Sequence, residues 1–232
     1  MFLSVIIAAG GVGARMERGS SKQLLDLAGK PVLARSVGIF NDLQAVREIV
    51  IAIDAADAGR CQADIVGKFN FAKVAAVIPG GASRAASVLN ALAKISSAAD
   101  TVLVHDGARP LFPAGLLEAG LRELDDQRLD GVVFGVPATD TVKKVDAGFM
   151  VKRTLERGRI WMAQTPQLFR RRVLEKAYRM PAGVPAQATD DATLVEIAGG
   201  RLKMVMGSYE NIKLTTPVDL TVAKAILRQR NI

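Results

Sequence analysis

Short apolar runs rich in Val and Ile alternate along the chain with stretches of helical spacing. The runs are Leu3–Ala8 and residues 49–53, 74–78, 101–104 and 132–136, and helices are expected over about residues 31–40, 58–69, 85–95 and 113–124. The apolar runs are continuous rather than alternating. Each strand is therefore expected to be buried on both faces, which means a mostly parallel sheet with helices on both sides, an α/β fold. In such sheets ligands sit at the carboxyl ends of the strands.

Past residue 136 the rhythm changes. Residues 141–145 and 149–153 flank Asp146-Ala147-Gly148, which reads as a hairpin turn. A two-stranded ribbon of this size is barely stable alone, and a second subunit is the simplest candidate to support it. The remainder predicts strands at 160–164 and 202–205 and helices at about 170–178, 192–198 and 217–228, with Pro181, Gly183 and Pro185 breaking the chain at a surface loop. No linker long enough to separate two domains is evident, so residues 1–232 read as one domain with an arm at about 139–154.

Composition narrows the chemistry. The 232 residues are 50% hydrophobic and 5% aromatic, enough for an ordinary globular core, and 31 Lys plus Arg against 23 Asp plus Glu give a net charge of +8. The basic residues are spread along the chain and not interleaved with aromatics, which points to small anionic ligands rather than nucleic acid. Cys61 and His105 are the lone cysteine and histidine, which excludes an intrachain disulfide, a Cys/His zinc cluster and the Ser-His-Asp and Cys-His mechanisms that need a second such partner. The first apolar run lacks a basic lead-in and ends early in glycines. No run approaches the ~18 to 20 apolar residues of a membrane span, so a cytoplasmic protein without a membrane partner is expected.

Three segments fall at predicted strand ends. The first strand runs into Gly10-Gly11-Val12-Gly13-Ala14-Arg15, with Lys22-Gln23 following. Glycines there let backbone N–H groups approach phosphate oxygens, and two cations on one loop suit a phosphoryl transition state. The loop fits neither the Walker A nor the dinucleotide fingerprint; an ordinary glycine turn with solvated Arg and Lys is the alternative. Gly80-Gly81-Ala82-Ser83-Arg84-Ala85-Ala86-Ser87 follows the third strand and opens a helix; its small side chains and helix-start N–H groups could accommodate a base, or Ser83 could simply cap. The fourth strand ends in His105-Asp106-Gly107-Ala108-Arg109. Asp106 is placed to hold Mg2+, completed by phosphates and water, and Arg109 to clamp a phosphate, unless the two form a surface pair.

The order of these and later segments is specific. Gly-x-Gly-x-Arg-Met with Lys-Gln, Gly-Gly-x-x-Arg-x-x-Ser-Val, Val-His-Asp-x-Ala-Arg-Pro, Asp-Thr-x-Lys, Gln-Thr-Pro-Gln-x-Phe, Thr-Asp-Asp and Asn-Ile-Lys-x-Thr together resemble the 2-C-methyl-D-erythritol 4-phosphate cytidylyltransferases over residues 5–220. The resemblance implies a Rossmann-like nucleotidyltransferase fold with a protruding β-arm, a Mg2+-dependent reaction of CTP with methylerythritol phosphate in non-mevalonate isoprenoid synthesis, and a homodimer. It assigns Arg15 and Lys22 to the transition state and the CTP phosphates, and Asp106 to the metal. Ala9, Gly10, Gly11, Gly13, Gly81 and Ser87 match its cytidine site. Arg109, Thr141, Arg157, Thr165, Thr189 and Lys213 match its acceptor site, with Arg157 and Lys213 gripping the incoming phosphate and so also counted as catalytic. Ser21 and Gly10 depart from the family's common Pro and Ala.

Such a transfer needs no histidine, because a phosphate whose second pKa is about 6 is already a deprotonated nucleophile near neutrality. Cytidylyl transfer to another polyol phosphate, such as ribitol 5-phosphate, is the near rival; Lys143 after Asp140-Thr141 favours methylerythritol phosphate. A dinucleotide-dependent reductase is opposed by Met16 in the fingerprint, and a nucleic-acid module by the few aromatics.

Overall fold

A computed structural model describes residues 1–10, 22–181 and 183–231. In chain order the elements are β1 (Leu3–Ala8), the short hairpin β2 (Asp26–Leu27) and β3 (Lys30–Pro31), α1 (Val32–Asn41), β4 (Val46–Ile53), α2 (Ala58–Arg60) continued by a π-helical stretch Cys61–Gly67, β5 (Val74–Pro79), α3 (Arg84–Leu92) and β6 (Thr101–Asp106). There follow α4 (Leu117–Leu124), β7 (Gly131–Pro137), the arm strands β8 (Lys143–Val145) and β9 (Val151–Thr154), β10 (Trp161–Arg170), α5 (Arg171–Tyr178), α6 (Gly183–Gln187), α7 (Asp191–Ile197), β11 (Leu202–Met206) and α8 (Pro217–Gln229).

Seven strands form the central sheet in the order β11-β7-β10-β6-β1-β4-β5. β1 pairs in parallel with β4 and β6, β4 with β5, and β7 with β11, while β10 runs antiparallel to both neighbours. The mostly parallel α/β sheet read from the apolar runs is thus the observed one. Its cause is visible in β1, where Val5 and Ile7 enter one core with Phe40 and Leu103 while Ile6 enters the opposite core with Val50 and Val104. A strand sandwiched between two cores has no polar face, so it reads as a continuous hydrophobic run.

Two segments differ from expectation. The segment from Gly183 to Gln187 forms the short helix α6 where Pro181, Gly183 and Pro185 suggested only a loop; Pro185 sits within its first turn, where a missing N–H costs little. β10 runs to Arg170, well past residue 164, because Gln164, Thr165 and Gln167 are polar yet buried. In the arm, Phe149 rather than Gly148 takes the left-handed conformation, with φ of 63°, and its ring is exposed. No helix among the described residues is long and apolar enough to cross a membrane.

Candidate active site

Two adjoining cavities open at the carboxyl edge of the parallel strands. The first, of about 170 Å³, is lined by Ala8 and Gly10 at the end of β1, Ser87 on α3, Gln23 and Ala108. Its shape depends on small residues. Ser87 is buried; its hydroxyl donates to the Ser83 carbonyl at 2.9 Å and accepts from the Gly81 amide at 3.0 Å. A Cβ at Gly10 would lie 3.2 Å from that hydroxyl oxygen, and one at Gly80 2.9 Å. Ser87 is therefore the clasp that folds the Gly80-Gly81 turn onto the start of α3, and Ser83 caps the helix by accepting from Ala86 N–H.

The second cavity, of about 210 Å³, is lined by Arg109, Gln164, Thr165, Thr189 and Asp190. Arg84, Asp106 and Lys213 line both cavities and form the wall between them. Asp106, nearly inaccessible, accepts from Arg84 Nε on Oδ1 at 2.9 Å and from Lys213 Nζ on Oδ2 at 2.7 Å, with Arg109 Nε 3.8 Å away. Burial pushes the Asp106 carboxyl up, but Arg84, Lys213 and Arg109 together outweigh it and hold the group well below the usual carboxylate range. Arg84 also donates through Nη1 to Asp191 Oδ2 at 2.8 Å, and burial, which would lower its pKa, is overcome by the two carboxylates.

Backbone and side-chain bonds stitch this wall together across the fold. Arg109 Nη1 donates to the Asn211 carbonyl at 2.7 Å, Leu214 N–H to the Ala108 carbonyl at 2.8 Å, and the Asn211 amide to Gln164 Oε1 and the Thr165 carbonyl. These bonds fix the segment that carries Lys213 against β6 and β10. His105 is fully buried: its Nε2 bonds the Arg109 carbonyl, which can only accept, so Nε2 carries the proton and Nδ1 accepts from the Thr165 hydroxyl. The Thr165 oxygen in turn accepts from Asp106 N–H. Burial holds the His105 imidazole down to about 4, so it is neutral at physiological pH.

The fold brings Gly10, Ser87, Asp106, Arg109, Thr165, Thr189 and Lys213 to the two cavities. Three expectations change in detail. Ser87 and Thr165 both have hydroxyls committed to the protein, and the Gly81 amide, expected to read a base edge, donates to Ser87. Ala9 is buried with its amide bonded to the Ala52 carbonyl and lines neither cavity. Thr141 and Arg157 line neither cavity; Arg157 donates to the Thr139 carbonyl at the base of the arm. Gly11, Gly13 and Arg15 lie outside the described residues, and of Lys22 only the backbone is described, in a single 3-10 turn at Lys22–Leu24. Arg84, Asp191, Gln164 and Asn211 were not assigned from sequence. The signal available for Arg84 was a cation at the first position of a helix, where the macrodipole disfavours it and a tertiary partner is implied.

Known proteins of one family resemble the chain along nearly its whole length. The family model described as IspD: 2-C-methyl-D-erythritol 4-phosphate cytidylyltransferase matches residues 3–229. The chain is 40% identical over 233 residues to the 2-C-methyl-D-erythritol 4-phosphate cytidylyltransferase of Geotalea uraniireducens, covering 100% of this chain and 99% of the relative. It is 39% identical to that of Alkaliphilus metalliredigens, covering 98% and 94%. Among solved structures, the 4-diphosphocytidyl-2C-methyl-D-erythritol synthase of Anaerococcus prevotii superposes with a TM-score of 0.85 at 27% identity over 98% of each chain. With a family match across nearly every residue and full-length relatives well above 30% identity, the chain belongs to the 2-C-methyl-D-erythritol 4-phosphate cytidylyltransferase family.

Proposed function

We propose that the chain transfers the cytidylyl group of CTP to the phosphate of 2-C-methyl-D-erythritol 4-phosphate, releasing pyrophosphate for isoprenoid precursor synthesis, as a Mg2+-dependent cytoplasmic homodimer. The observation that carries the reading is the pair of cavities divided by a wall of two cations around one carboxylate. An oxygen of the acceptor phosphate forms the new bond to the α-phosphorus as the bond from that phosphorus to the β-phosphate oxygen breaks. The electron pair leaves with pyrophosphate. The acceptor phosphate is already deprotonated near pH 7, which agrees with a site whose one histidine is neutral and bonded on both nitrogens. What such a transfer needs is alignment and charge neutralisation.

In this reading the glycine-lined cavity takes CTP and the cavity at Arg109, Thr189 and Lys213 takes the acceptor. Lys213, held by Asp106 on the wall, meets the acceptor phosphate from there, and Arg15 and Lys22 neutralise charge developing on the transferred phosphate. Thr141 and Arg157, carried at the arm and its base, complete the acceptor cavity of a partner subunit.

Mg2+ does not fit Asp106 as expected from sequence. Both oxygens accept from cations, a third cation is near, and no cluster of three or more His, Cys, Asp or Glu suited to a metal is present among the described residues. A divalent ion there would have to displace Arg84 or Lys213. The Mg2+ requirement accordingly rests with the triphosphate, whose oxygens are hard ligands of the kind the ion takes.

Pyrophosphate release from a panel of nucleotides and polyol phosphates tests the reading: CTP with methylerythritol phosphate should dominate. Comparable turnover with ATP, or equal efficiency on ribitol 5-phosphate, would overturn the donor or the acceptor assignment. In the same assay Asp106→Asn should leave the midpoint of the Mg2+ titration in place; a sharp rise would return the metal to Asp106.

A further inference from the structure

We propose that Arg84 is a positioning residue for the acceptor, a strut that ties the nucleotide half of the site to the acceptor half through two carboxylates. The proposal rests on the functional reading above. Arg84 is the first residue of α3, and no acidic residue occupies that first turn to offset its charge against the helix dipole. Its guanidinium instead forks. Nε meets Asp106 Oδ1 at 2.9 Å and Nη1 meets Asp191 Oδ2 at 2.8 Å, while Nη2 is buried without a partner. A planar fork can hold two carboxylates in fixed directions; an ammonium cannot.

Each end of the strut reaches a different part of the site. Asp106 shares the same carboxylate with Lys213, so with Oδ1 taken by Arg84 the Lys213 ammonium is confined to Oδ2, on the wall between the cavities. Asp191 is fully buried, accepts from the Tyr178 hydroxyl on its other oxygen, and is the first residue of α7, directly after Thr189 and Asp190 of the acceptor cavity. At its own end, Arg84 lies between Ser83 and Ser87, which fold the glycine turn of the nucleotide cavity. Removing the fork would free Asp106 to draw Lys213 away from an incoming phosphate and would release the start of α7. The nucleotide turn, closed by Ser83 and Ser87, would stay.

Steady-state kinetics and Tm of Arg84→Gln, Arg84→Lys and the double variant Arg84→Gln/Asp191→Asn test this against wild type. Arg84→Gln should raise the KM for the polyol phosphate at least about tenfold while the KM for CTP stays within about threefold. Its Tm should fall, because the buried Asp191 loses its cation and keeps only the Tyr178 hydroxyl; the double variant removes that charge and should recover most of the Tm while keeping the acceptor defect. Arg84→Lys should share the defect, since it keeps charge but not the fork. A double variant with wild-type acceptor KM, a loss confined to kcat or shared by both substrates, or full rescue by Lys would each overturn the proposal. Wild type without turnover of CTP and methylerythritol phosphate would overturn the functional reading and this inference with it, whereas active wild type beside unaffected variants removes only the role of Arg84.

Discussion

His105 is bonded to the protein through both ring nitrogens, and its burial has a measurable consequence. Protonation would place a second N–H on Nδ1, where the imidazole now accepts from Thr165, and would put a charge into a fully buried position. The folded imidazole therefore titrates near 4, against about 6.5 in the unfolded chain. Between those values the unfolded state binds the extra proton, so stability is complete above about 6.5 and declines as pH falls toward 4, by up to about 3 kcal/mol. Comparing Tm at pH 7, 5.5 and 4.5 should give a shallower acid dependence for His105→Gln than for wild type. Parallel curves would mean that His105 contributes nothing to acid sensitivity. The sequence could not show that this ring orients Thr165, because their pairing spans 60 residues.

At the scale of elements, the glycine turn before α3 is a steric device. A Cβ at Gly81 would lie 2.4 Å from the Ala86 Cβ and 2.9 Å from its backbone carbon, so the helix start would have to shift. Gly81→Ala is accordingly expected to cost about 1–3 kcal/mol by overpacking and to raise the KM for CTP more than that for the acceptor. Gly59→Ala on α2, with nothing within 4 Å of the added carbon, is the control and should leave Tm and both KM values near wild type. An unchanged KM for CTP in Gly81→Ala would separate this turn from nucleotide binding. The turn and helix were legible from small residues after a strand. The ends of β6 and β10 were not, because His105, Asp106, Thr165 and Gln167 look like loop residues until tertiary hydrogen bonds satisfy them within the sheet.

For the whole molecule, the arm is the feature that a single chain leaves without support. Its strands β8 and β9 are exposed along their length, and at the tip Phe149, Met150 and Val151 are 84%, 69% and 60% exposed. A ribbon of three and four residues carrying apolar side chains into solvent is expected to gain stability against a second subunit. If the arm of one subunit completes the acceptor cavity of another, Thr141 serves a neighbour whose own chain supplies Lys22 and Lys213. Mixing Lys22→Ala subunits with impaired Thr141→Val subunits should then restore part of the activity, because one intact site forms in the heterodimer. Absence of complementation, with subunit exchange demonstrated and each parent shown to be impaired, would place the arm outside the site.

The sequence by itself determined the sheet and which segments lie at its carboxyl edge. Continuous Val and Ile runs require burial on both faces, and glycine or acidic residues directly after such runs must emerge at the ligand edge of parallel strands. Only the tertiary structure decided which charges surround Asp106. Its partner Arg84 stands 22 residues away, and the second carboxylate on Arg84, Asp191 of α7, lies 107 residues from Arg84 along the chain. Whether a buried carboxylate holds a metal or a pair of cations depends on which charges reach within about 3 Å of its oxygens, since Coulombic and hydrogen-bond energies fall steeply with distance. Spacing along the chain does not encode those distances; the packing of α3, α7 and the Lys213 segment around β6 sets them.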